Sequence, residues 1–226
     1  MATIELPDRT VPMLPNALID SLCHLPDGEQ RPWLSLLVRL DRQLTVRGVK
    51  LMPTVAPVHH TVAEGAGSGP PADEIPGIGR NLSILKRLAD KLREDRLRDG
   101  ALPPPGLPEL RVIVEADEVR VSRAEGPEDL REISDELAIL ASTQIGRWCT
   151  DRGLEVMYEA QSPPEGRHLL EAIPHPVVRR HELRRQSPTT GFSEHPDRHD
   201  GLGLSACCPV CRPTDRYPDL VIQRQI

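Results

Sequence analysis

Proline decides what this chain can fold into. Twenty-four of its 226 residues are proline, a side chain that fixes φ, removes a backbone donor, ends helices and stays out of central strands. Pro70-Pro71, Pro103-Pro104-Pro105 and Pro163-Pro164 cut the sequence into short elements. The hydrophobic share is 38%, below the usual globular range, and only five residues carry aromatic rings: Trp33, Trp148, Tyr158, Phe192 and Tyr217. Aromatic side chains bury the largest areas in cores. The expected core is therefore built from Leu, Val and Ile, and the chain alone is expected to be marginally stable.

The net charge of −6 argues against a surface that grips nucleic acid all over. Arginine supplies 25 of the 28 cations, which suits bidentate phosphate contacts, although compositional bias accounts for the same excess. No apolar run is long enough to cross a bilayer and no leader pattern opens the chain. Five cysteines, an odd number, do not resemble a secreted disulfide framework. The expectation is a cytoplasmic protein with reduced thiols and no membrane partner.

Along the chain, residues 3–64 read as β-rich. Leu34–Leu40 and Leu44–Val49 flank the turn Asp41-Arg42-Gln43 as a hairpin, and the proline-interrupted stretch Leu6–Pro15 is confined to extended or turn structure. A Gly/Ala/Pro-rich loop covers 65–79. Asn81 reads as the N-cap of a helix with Leu82, Leu85, Leu88, Leu92 and Leu97 on one stripe and Gly100 as its stop. The charged face of that helix is expected to be solvated. A second hairpin spans Leu110 to Val121. The strongest helix runs from Pro127 to Cys149, with Leu130, Ile133, Leu137, Leu140 and Ile145 buried and Gly153 beyond it. A short basic helix covers Pro176–Arg185.

Several segments resemble one family in the family's own order. Leu6-Pro7-Asp8-Arg9-Thr10-Val11-Pro12-Met13-Leu14-Pro15, Leu22-Cys23-His24-Leu25-Pro26, Glu136-Leu137-Ala138-Ile139-Leu140-Ala141, Gly201-Leu202-Gly203-Leu204 and Arg216-Tyr217-Pro218-Asp219-Leu220 are similar to the ribonuclease II/R (RNB) 3′-to-5′ exoribonucleases. The similarity is colinear over essentially the whole chain. It implies an α+β fold, a partial RNB domain with a β-rich N-terminal part and a mainly helical C-terminal part. It also implies single-stranded RNA as partner and Mg²⁺ held by an aspartate cluster, with an arginine supporting the scissile phosphate.

Two departures bear on activity. The family's aspartate segment precedes the Leu6–Pro15 run, so a chain beginning at Met1 is expected to lack it, and with it the magnesium ligands. The family's Arg-Arg pair aligns with Asp215-Arg216, and a carboxylate there repels phosphate. Cys207 also replaces a family tyrosine, Ser142 an asparagine, and Gln223 a histidine. No substitute metal site is evident: Asp8, Asp73-Glu74 and Asp117-Glu118 read as surface charge. Arg216, Tyr217 and Arg224 are the candidate RNA-binding residues, with Arg216 equally able to pair with Asp215 or Asp219, and Tyr217 able to stack on a base or to pack.

Three readings stay open. The first is an inactive or weakly active RNA-binding remnant of an exoribonuclease. The second is a ribonuclease completed by an upstream segment or partner chain, a partner that would also cover the strand edges left by a truncation. The third is a zinc-binding interaction module using His195, His199, Cys208 and Cys211, whose H-x₃-H and C-x₂-C spacings suit tetrahedral ligation. His59, His60, His175 and His181 read as surface polar residues.

Overall fold

The computed structural model of the chain describes residues 1–26, 28–62, 75–103, 110–115, 118–123 and 128–226. Strand β1 (Ile4–Glu5) pairs with β2 (Thr10–Val11), and a short helix α1 (Asn16–Leu18) runs into a π-type turn over Ile19–Cys23. This is the turn-rich stretch its prolines require: Leu6 N donates to Arg9 O at 2.8 Å across the bend.

The first hairpin is longer than its hydrophobic runs suggest. β3 (Gln30–Leu40) and β4 (Val46–Pro57) pair antiparallel from Gln30↔Pro57 onward, with a bulge at Arg39/Leu40. Pro32 faces Val55 and Pro53 faces Leu34, and prolines in both strands keep each one an edge. The turn spans five residues rather than three. Asp41 accepts from Gln43 N (2.9 Å) and Thr45 N (3.0 Å), which supports Leu44 at φ 60°. Those backbone donors, with Arg47, hold the Asp41 carboxyl below its usual range.

Helix α2 (Ile78–Arg98) starts three residues before the expected cap, because Gly77 at φ 81° already makes the turn into it. Its end matches the sequence reading. Gly100 takes φ 93° and Ala101 N reaches back to Arg96 O at 2.8 Å, the 6→1 bond of a Schellman stop. Strands β5 (Leu110–Glu115) and β6 (Glu118–Arg123) form the second hairpin. Helix α3 (Glu128–Thr150) ends the same way as α2, with Gly153 at φ 64° and Leu154 N on Cys149 O at 3.0 Å. The expected Pro127 start, the acids Asp73, Glu74 and Asp117, and most of the 65–79 loop lie outside the described residues.

The charged face of α2 is not simply solvated. Lys86 contacts Asp90, Asp129 and Glu132, Arg93 contacts Glu132 at 2.6 Å, and Arg96 pairs with buried Glu136. Burial pushes Glu132 up, but the bonds from Arg93 and Lys86 outweigh it and hold the carboxyl low. Leu88 and Ala89 are buried, while Leu97 lies off the stripe and is exposed.

The C-terminal part places β7 (Tyr158–Ala160) against β8 (Gly191–Ser193), with α4 (Arg167–Glu171) and α5 (Pro176–Arg185) between them and α6 (Tyr217–Gln225) last. The core joins the end of α3 to the 206–210 segment and α6: Ile145, Cys149, Val156, Tyr158, Ala206, Cys208, Val210 and Ile222. The expected Leu/Val/Ile core is corrected in detail. A tyrosine stands at its centre with its hydroxyl 3.0 Å from Thr150 Oγ1, and two thiols fill space. The segment packs against Gly146, where a Cβ would make ordinary contact with Cys208 N and Cβ at 3.5 Å. Full burial of an Ile222-sized side chain contributes about 1.5–3 kcal/mol. The fold is α+β, in antiparallel ribbons and helices.

Candidate nucleic-acid interface

Two loops close in sequence, Gly201–Leu204 and the arginine segment at 212–217, lead into α6, and the segment and helix carry Arg216, Tyr217 and Arg224. The first is held by three arginines. Arg96 donates to Leu202 O (3.1 Å) as well as to Glu136. Arg167 donates to Asp200 Oδ2 (2.6 Å) and Gly100 O (2.7 Å). Arg198 donates to Asp99 O (2.6 Å) and approaches Asp200 (3.5 Å). Glu136 and Asp200 are both buried, so these are desolvated pairs satisfied on several sides. The loop's second glycine is obligatory. Gly203 has φ 67°, and a Cβ there would lie 2.7 Å from Arg96 O. None of the three arginines was singled out in the sequence as a partner of this loop, because their acceptors are distant in the chain.

The arginine segment enters α6. Asp219, in the first turn of α6, is buried and accepts from Arg212 N at 2.9 Å. Its other oxygen, Oδ1, lies 3.3 Å from Arg216 Nε as an ion-pair contact without hydrogen-bond alignment. Arg216 also pairs with Glu159 of β7, a residue 57 positions away. Of the two partners expected for Arg216, Asp219 is correct. Asp215 is exposed instead, with its backbone oxygen accepting from Thr3 N at 2.7 Å. Tyr217 N donates to Met1 O at 3.1 Å, so residues 1–3 run alongside the segment.

Tyr217 is 50% exposed, which leaves its ring open to solvent and corrects the packed alternative. Arg224 is exposed in the last turn of α6. Seven residues apart on one helix, the two lie on the same face. Gln223 donates to Val210 O at 2.6 Å and Ser142 to Ala138 O at 2.9 Å, both structural bonds.

Behind the segment the interior is desolvated yet holds carboxylates. Burial pushes the Cys207 thiol up to about 12, and the charge of Glu159 adds to it. Burial also lowers His199, with Glu159 pulling the other way. His199 Nδ1 accepts from Leu202 N at 3.3 Å.

The zinc set is not brought together. Cys208 is buried beside Cys149 and Cys211 Sγ reaches Ala138 O at 3.6 Å, while His195 is exposed and His199 turns into its own loop. All five cysteines are free. Among the described residues no group of three or more His, Cys, Asp or Glu stands ready to hold a metal. Nor do the carboxylates beside the arginine segment form a set for the magnesium the resemblance implies: Glu159 and Asp219 are spent on Arg216 and Arg212 N, and Asp215 is exposed.

An uncharacterized ribonuclease of Synechocystis is 29% identical over 232 residues, covering 99% of this chain and 34% of that protein. Ribonuclease R of Mycoplasma genitalium, solved with ribose-methylated single-stranded RNA, superposes with a TM-score of 0.81 at 17% identity, over 99% of this chain and 41% of its own. Yeast Ssd1, described as a pseudonuclease, shares the fold with a TM-score of 0.70 at 15% identity, over 99% of this chain and 32% of its own. The chain spans about a third of the length of the curated relatives it matches. With the RNB domain model matching residues 1–174, the chain belongs to the RNB domain family.

Proposed function

We propose that this chain binds single-stranded RNA and, by itself, does not hydrolyse it. The observation that carries this reading is the arginine segment. Asp215 stands in the place of one family arginine, and Arg216, the other, is engaged by Glu159 and Asp219. A phosphodiester there meets a guanidinium already neutralised by two carboxylates, not the unpaired cations phosphoryl chemistry requires.

Binding falls to the outer face of α6. The half-exposed ring of Tyr217 offers a stacking surface for a base, worth about 1–3 kcal/mol. Arg224 on the same face offers a phosphate contact whose strength falls with salt. Two relatives of this fold bracket the reading: Mycoplasma ribonuclease R is known with RNA bound, and yeast Ssd1 is a pseudonuclease.

The test is fluorescence anisotropy with labelled single-stranded RNA across a salt series. The expected result is retention that weakens linearly in log salt and is lost more than tenfold in Y217A. Retention that ignores both salt and Tyr217 overturns the reading.

A further inference from the structure

We infer that Glu159 is an autoinhibitory residue that keeps Arg216 out of RNA contact. This rests on the RNA-binding reading above. A carboxylate and a phosphodiester present the same kind of acceptor oxygens to a guanidinium, and Glu159 Oε1 occupies Arg216 Nη2, one of the donors a phosphate needs.

The two carboxylates on Arg216 are not equivalent. Asp219 belongs to the same segment, three residues on, and is fastened there by Arg212 N at 2.9 Å. It moves with Arg216. Glu159 arrives from β7, where its backbone is fixed by pairing with Phe192 and by Glu159 N donating to Cys207 O at 2.7 Å. Its side chain is 14% exposed against 36% for Arg216. A largely desolvated carboxylate holds its cation firmly, while the cation still faces solvent.

The structural arginines of the neighbouring loop behave differently. Arg96, Arg167 and Arg198 each donate to a backbone carbonyl besides a carboxylate contact. Among the described residues the Arg216 side chain shows carboxylate contacts alone, so removing Glu159 leaves Nη2 free for a phosphate without opening a main-chain bond.

The experiment measures affinity for labelled single-stranded RNA in the wild type, E159Q, E159A, R216Q and the E159Q/R216Q double variant, each checked for folding by circular dichroism. The near-isosteric glutamine and the truncating alanine guard against loss of fold in either one. The expected result is binding about tenfold tighter in E159Q or E159A, a salt slope steeper by about one ion, and loss of the gain in the double variant. Unchanged or weaker binding in the folded variants, or a gain that survives R216Q, overturns the inference. Wild-type binding with no gain sinks the inference alone; no binding by any of the proteins sinks the RNA reading with it.

Discussion

The Gly201–Leu204 loop and the arginine segment lie close in sequence and both join guanidinium groups to buried carboxylates, yet they do opposite work. In the loop, Arg96, Arg167 and Arg198 tie the backbone to the end of α2, and each cation reaches a main-chain carbonyl. In the segment, Arg216 reaches the side chains of Glu159 and Asp219. The comparison teaches that an arginine's role is read from its acceptors. At this end of the molecule the backbone acceptors make a brace, while Arg216, held by side-chain carboxylates, is the cation whose partner we propose another anion can replace.

The largest effect should come from breaking the brace. R96M leaves Glu136 buried with its partner gone and is expected to cost about 3–5 kcal/mol, measured by urea unfolding. Next is G203A, where a positive φ and a Cβ 2.7 Å from Arg96 O together cost about 2–4 kcal/mol, visible as a lower melting midpoint. If either variant keeps wild-type stability, the loop is not braced as described. On the other side of the comparison, Y217A removes an exposed ring and should leave stability within about 0.5 kcal/mol while weakening RNA binding.

Smaller still are the pH effects, which test whether the segment is backed by a desolvated interior. His199 is held below its unfolded value by burial. The unfolded chain therefore binds the proton more readily, and stability present above pH 6.5 declines as pH falls below it. Cys207 is raised to about 12, so the unfolded thiol ionises first and stability declines as pH climbs past about 9 toward 12. Melting midpoints across pH should show a plateau between the two. A midpoint that rises steadily into alkali contradicts a buried Cys207.

Much of the frame was legible in the sequence because it is local. The α5 bounds follow from Pro176 and the basic run, the ends of α2 and α3 from Gly100 and Gly153, and the first hairpin from two aliphatic runs around a turn. What was not legible depends on distant partners. Asn81 reads as a cap until Gly77 supplies the turn upstream. The cations of α2 read as solvated until α3 brings Asp129, Glu132 and Glu136 against them. At the site, the family pattern located Arg216 and flagged Asp215, and the local spacing found Asp219. Glu159, the partner from another strand, carries no signal at all in one sequence. The zinc spacing was real, but spacing says nothing about where side chains turn, and burial of Cys208 among Cys149 and Ile222 took one ligand away.

The most direct test of the account incubates the purified chain with 5′-labelled single-stranded RNA and Mg²⁺, then resolves the products on a denaturing gel while anisotropy follows binding in the same buffer. The account predicts full-length RNA that is bound at low salt and released at high salt. Processive Mg²⁺-dependent release of mononucleotides by this chain alone would contradict it.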